Sequence, residues 1–143
     1  MKRALELAHE AQAEGDVPVG AVIVDKDGKI IAEGYNRREK EQDPMGHAEL
    51  EAIQKAAKIL GSWRLLDHTL VVTLEPCLMC AGAVAHARLK QVVFGAFDKR
   101  VGALGTRMKI QETPGINHRF HVIGGVLEES CRELLVDFFK KKR

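Results

Sequence analysis

At 143 residues the chain is long enough for one domain that buries roughly two-thirds of its unfolded surface, and no apolar run approaches the ~18 residues of a membrane span. Hydrophobic residues at 45% and charged residues at 29% make an ordinary globular mixture, and a net charge of +2 does not mark a dedicated nucleic-acid binder. The opening MKRALELAHEAQAEG lacks the apolar block and cleavage site of a secretory signal, and three cysteines are too few and too uneven for a disulfide framework. The expectation is a single domain over 1–143, cytoplasmic, with reduced thiols and no membrane contact.

In chain order, RALELAHEAQAEG has helical apolar spacing and stops at Gly15. VGAVIV is a short buried strand, DKDG a turn, and KIIAEGYN the returning strand of a hairpin. The polar loop RREKEQDPMG follows, and then HAELEAIQKAAKILG keeps a helical face of Ala52, Ile53, Ala56, Ile59 and Leu60 up to Gly61. TLVVTL is a central strand, CLMCAGAVAHARL a helix, and QVVFGAF another strand. With one further strand before the final helix LEESCRELLVDFFKKKR, the order reads α, β, β, α, β, α, β, β, α. Strands alternating with helices predict an α/β fold with helices on both faces of the sheet.

Two motifs fall at helix starts. His47 and Glu49 open the second predicted helix, and Pro76, Cys77 and Cys80 open the third. Cysteines at i and i+3 share one helical face, Pro76 suits a first turn, and a helix N-terminus favours thiolate over thiol. Two thiolates and one imidazole form a zinc-type ligand set that leaves the fourth tetrahedral position for water. Glu49, two residues from the imidazole, is a carboxyl able to carry protons beside such a site. Taken alone, the C-x-x-C pair also reads as a structural metal site or a redox pair, and His68, His86 or Cys131 are conceivable fourth ligands, although no spacing compels them. His9, His86, His118 and His121 read singly as surface or satisfied histidines, and Cys131 as packed core.

H-x-E followed by P-C-x-x-C is the signature of zinc nucleobase deaminases, the family that serves as a standard example of base flipping. The stretches DVPVGAVIV, GYNRRE, DPMGHAELEAI, WRLLDHTLVVTLEPCLMCAGAV, VVFGAFD, PGINHR and DFFKKKR resemble the bacterial tRNA-specific adenosine deaminases of the cytidine/deoxycytidylate deaminase superfamily. The resemblance implies a three-layer α/β/α sandwich around a central five-stranded mixed sheet, a homodimer, and one Zn2+ per subunit. It implies hydrolytic deamination of the wobble adenosine to inosine in the anticodon stem-loop of an arginine tRNA.

By the same resemblance His47, Cys77 and Cys80 match the zinc ligands and Glu49 the proton-carrying acid. Asn36, Ala48 and Pro76 match positions beside the reacting base, and Asp98, His118, Arg119 and Phe138 match the groove for flanking nucleotides. Met45 and Gly46 depart from the threonine and alanine more common in the family, which removes a possible helix cap before His47. Deamination of a free cytosine- or guanine-type base or nucleotide is the enzymatic alternative, and a zinc-stabilised RNA-binding module is the non-enzymatic one.

Overall fold

The computed structural model describes residues 1–142, so the last residue of the predicted final helix, Arg143, lies outside the described residues. The elements are α1 (Lys2–Ala13), β1 (Gly20–Val24), β2 (Ile30–Tyr35), α2 (Arg38–Glu41), α3 (Ala48–Leu60), β3 (Thr69–Leu74), α4 (Leu78–His86), β4 (Gln91–Ala96), a 3-10 turn (Ile110–Glu112), β5 (His121–Ile123) and α5 (Glu128–Lys141). The expected order holds, with α2 added inside the polar loop 37–46.

The strands form one mixed sheet in the order β2-β1-β3-β4-β5. The two β1 pairings are antiparallel, while β3 with β4 and β4 with β5 run parallel. Consequently β2, β3 and β4 all point the same way, and their C-terminal ends share one edge of the sheet. The link from β4 to parallel β5 carries no α-helix, only residues 97–120 with the 3-10 turn.

Alternation along the strands sorts the helices into two layers. A Cβ on Gly20 would strike the α1 backbone at Ala4 and Ala8, and one on Gly95 would strike Cys131 of α5. One built on Gly34 would lie 2.5 Å from Ala48 O and 2.9 Å from Ala52 N of α3. Gly20 and Gly34 have opposite parity in the β1–β2 register, so α1 and α5 cover one face and α3 with α4 the other. The larger core lies under α3 and α4, built from Ala21, Ile23, Leu70, Val72, Val92 and Phe94 against Ala52, Ile53, Ala56, Ala81 and Val84. Cys131 is buried in the α5 layer, as its position on the inner helix face predicts.

Two sequence expectations change. Ile59 and Leu60, assigned to the inner face of α3, are 64% and 42% exposed, because the helix runs past the sheet in its last turn. The third predicted helix ends at His86 rather than Leu89: Arg88 takes a left-handed conformation (φ 59°), the Leu89 N–H reaches back to Val84 O, and the Arg88 guanidinium donates to Ala85 O. Together these contacts satisfy the last carbonyls of α4.

The close contact at Gly34 fixes where α3 begins and therefore where its first-turn side chains stand. Gly34→Ala should lower unfolding stability by about 1–3 kcal/mol in urea denaturation, the usual cost of overpacking. An unchanged midpoint would show that α3 can move away without penalty.

Candidate metal centre and its pocket

The site forms at the shared C-terminal edge of β2, β3 and β4. Asn36 follows β2, Glu75, Pro76 and Cys77 follow β3, and Asp98 follows β4. Such an edge is where open α/β sheets receive ligands. Between β2 and α3 the chain makes a stitched loop. Asp16, fully buried, accepts from the Val17 N–H through Oδ1 and from the Glu39 and Lys40 N–H groups through Oδ2, capping α2 from outside that helix. Gly46 closes the loop: its carbonyl accepts from the Arg37 N–H at 2.9 Å, and a Cβ on it would lie 2.9 Å from Arg38 N. The glycine departure is therefore what this loop's packing requires, while Met45 points outward.

His47 and Cys77 occupy the N-cap positions of α3 and α4, and Cys80 lies in the first turn of α4. His47 Nδ1 stands 3.8 Å from Cys77 Sγ and 3.5 Å from Cys80 Sγ, and the three donor atoms lie within 4.8 Å of one another. Zinc with bonds of about 2.3 Å to sulfur and about 2.05 Å to nitrogen at tetrahedral angles sets N···S at about 3.6 Å, so the set fits that ion. Among the described residues neither His68, His86 nor Cys131 joins this cluster. That removes the fourth side chain a closed structural site requires.

The electrostatics agree. The Cys80 S–H donated to Cys77, followed by the His47 imidazole, pulls the Cys77 thiol down to about 4, against the opposing effect of burial. Contact with the Cys77 sulfur and burial push the Cys80 thiol upward, and Cys77 raises the pKa of His47. Negative charge thus gathers at the positive ends of two helices, where a cation would share it.

Glu49 sits in the first turn of α3 and is only 4% exposed. Burial is the main cause that lifts its carboxyl from 4.5 to about 7, partly offset by its own backbone N–H and by His47. Asn36 Oδ1 accepts from the Ala48 N–H at 2.9 Å. This bond supplies the α3 cap that Met45 does not, and it turns the Asn36 NH2 group away from the helix as a free donor. His47, Glu49, Asn36, Cys77 and Asp98 line one cavity of about 210 Å³. Asp98 Oδ1 accepts from the Arg100 and Val101 N–H groups. Pro76 is linked to the same region through its carbonyl, which accepts from the Ala103 N–H.

Three of the expected substrate residues lie outside the 210 Å³ cavity within one chain. His118 donates through Nε2 to Leu89 O, and Arg119 donates to the carbonyls of Gln111 and Thr113, both next to the N-terminal ends of β4 and β5 rather than the edge carrying His47. Phe138 is buried on the inner face of α5. Its neighbour Phe139 lines both the 210 Å³ cavity and an adjoining hollow of about 700 Å³ that is rimmed by Lys99, Arg100, Arg132 and Lys140. Phe139, one helical step beyond Phe138, and Glu75, which closes the apolar run TLVVTL, line the cavity without having been singled out by any local sequence pattern.

Glu49 carries a pH signature. Its folded-state pKa is raised, so the stability that its proton contributes is complete below about 4.5 and lost as pH rises through about 7. Zinc-stripped protein should lose stability relative to stripped Glu49→Gln across that window, on the order of 1–3 kcal/mol in denaturant titrations. Parallel pH curves for the two would contradict the assignment.

Residues 1–96 match the family described as the cytidine and deoxycytidylate deaminase zinc-binding region. The tRNA-specific adenosine deaminase of Bacillus subtilis (strain 168) is 50% identical over 143 residues, covering 100% of this chain and 88% of the relative. A structure from a study of A-to-I editing by tRNA:A34 deaminases at the wobble position superposes with a TM-score of 0.91 at 38% identity, covering 94% of this chain and 97% of that one. A guanine deaminase from Bacillus subtilis superposes with a TM-score of 0.65 at 36% identity, covering 98% and 90%. The chain belongs to the cytidine and deoxycytidylate deaminase family and, within it, to the tRNA-specific adenosine deaminases.

Proposed function

We propose that this chain hydrolyses the 6-amino group of the wobble adenosine in a tRNA anticodon loop, giving inosine and ammonia. The observation that carries the reading is a His47–Cys77–Cys80 ligand set whose His47 and Cys77 line one cavity with a buried acid, Glu49, in a chain 50% identical to a tRNA-specific adenosine deaminase. Zinc held by the three ligands would supply the Lewis acidity that makes water nucleophilic near neutral pH.

The chain's own groups do the rest. Glu49, its carboxyl raised to about 7 by burial, takes one proton from the attacking water and passes it to N1 as oxygen adds to C6. It then takes the remaining hydroxyl proton and passes it to the departing amine, so that both protons of water are accounted for in inosine and ammonia. Asn36, with its oxygen engaged by Ala48, donates its NH2 to an acceptor on the purine and fixes the base in plane. Because C6 of a stacked adenine is out of reach, the base enters the 210 Å³ cavity splayed from a loop. Cations around the adjoining hollow then face flanking phosphates, and Asp98 and Phe139 border the neighbouring nucleotides. His118 and Arg119, remote within one chain, keep a substrate role only if a second subunit brings them to the RNA.

A homodimer with one zinc per chain completes the reading. Exposed Leu78 and Met79 on α4 and the open space beside Gly82 supply an apolar face for the second subunit. The cytoplasm is the setting that tRNA implies, and no helix among the described residues is long and apolar enough to cross a membrane. Deamination of a free base remains the competing activity, because a guanine deaminase shares this fold.

The deciding assay compares an anticodon stem-loop bearing adenosine at the wobble position with free adenosine, guanine and cytosine. Inosine should form in the RNA, and activity confined to a free base would overturn the proposal. Glu49→Ala should lose at least about a hundredfold in turnover while keeping zinc and RNA binding, and chelation should abolish activity reversibly. Retained turnover in that variant would contradict the acid–base role of Glu49, whereas RNA binding with no turnover in the wild-type chain would support an RNA-binding module. Sedimentation should give a dimer with one zinc per chain; a monomer would remove the shared-site role of His118 and Arg119.

A further inference from the structure

The geometry points to Glu75 as the positioning residue for the substrate-facing wall formed by residues 98–106, an inference that rests on the deaminase reading above. Glu75 is 1% exposed, and its partners are N–H and O–H donors rather than a cation. Oε1 accepts from the Asp98 N–H at 3.2 Å and from the Thr106 hydroxyl. Oε2 accepts from the N–H groups of Leu104 and Thr106, each at 3.1 Å. One carboxylate therefore ties the start of the loop to its end.

The loop backbone passes directly over that carboxylate. A Cβ on Gly102 would lie 2.4 Å from Glu75 Cδ and 2.5 Å from each oxygen, so only glycine fits there without displacement. Two more bonds knit the same segments: Glu75 N–H to Ala96 O at 2.8 Å and Ala103 N–H to Pro76 O at 2.9 Å. Asp98, Arg100 and Val101, carried by this loop, line the cavity with His47 and Glu49. The metal-ligand segment beginning at Cys77 and the cavity wall thus share one anchor, although the wall contributes no atom to the ligand set.

A carboxylate suits this place because four donors converge on two oxygens and none is offered an acceptor elsewhere in the pocket. Glutamine keeps the shape but turns an NH2 group toward donors, so the loop releases. The ligands and Glu49 stand on α3 and α4 and stay in place. Loss of Glu75 therefore weakens capture of the flanking RNA and leaves the chemical step intact.

The test uses the zinc-loaded full chain and the anticodon stem-loop, with inosine formation, zinc content and amide hydrogen exchange measured on Glu75→Gln, Gly102→Ala and Thr106→Val. For Glu75→Gln, KM should rise about tenfold with kcat within about threefold and zinc unchanged, and exchange should quicken at Asp98, Leu104 and Thr106 but not in α3 or α4. Gly102→Ala should follow in the same direction, and Thr106→Val should show a smaller rise; these two decide the matter if Glu75→Gln does not fold. Unchanged KM and exchange in the folded variants would overturn the inference, as would a fall in kcat with zinc loss at constant KM. Wild-type protein inactive on the RNA would sink the deaminase reading, and amide exchange would then still decide whether Glu75 clamps the loop.

Discussion

Two sulfurs and one imidazole nitrogen within 4.8 Å of each other, partly withdrawn from water, are the constraint around which this chain is organised. Electron-rich donors do not crowd together in a half-buried place unless positive potential gathers there too. The fold supplies it by aiming the first turns of α3 and α4 at one point, with His47 and Cys77 as the two N-cap residues. That convergence in turn requires β2, β3 and β4 to end at a single edge, and it requires α3 to approach β2 as closely as Gly34 allows. The metal centre is thus a consequence of strand direction and of one missing side chain.

Three of the four buried carboxylates among the described residues, Asp16, Glu49 and Glu75, show how surroundings set the work of one chemical group. Asp16 and Glu75 are each satisfied by several N–H donors, and each fastens a loop that borders the cavity. Glu49 is buried without such a set of donors, and its carboxyl is raised to about 7. Satisfied acids make rigid joints, and an under-satisfied one is poised to exchange a proton near neutral pH. A wall built from fixed loops around one buried carboxyl raised toward neutrality is the arrangement that the proposed reaction, orienting a splayed base while moving protons over short distances, calls for.

How much of this was legible in the sequence depended on the range of the interaction. The ligands could be read because i, i+3 spacing at a helix start and a proline before it are local signals, and the strands could be read from short β-branched runs. The last turn of α3 could not: Ile59 and Leu60 continue the apolar period, yet the helix overshoots the sheet, and only tertiary placement shows it. Phe138 and Phe139 are both apolar at adjacent helical positions, so the choice of which one faces the cavity follows from the rotation of α5 on β4. His118 and Arg119 lie in a loop whose path from β4 to β5 has no periodicity to reveal it. Glu75 was readable as a polar residue closing an apolar strand, but its partners come from a loop more than twenty residues on, beyond any local pattern.

The most direct examination of this account is zinc X-ray absorption on the purified chain together with its metal content. The account predicts one zinc coordinated by two sulfurs, one imidazole nitrogen and one exchangeable light atom, with the sulfur signal lost when Cys77 and Cys80 are replaced. A shell filled by four protein donors, or full deaminase activity in protein shown to contain no metal, would contradict it.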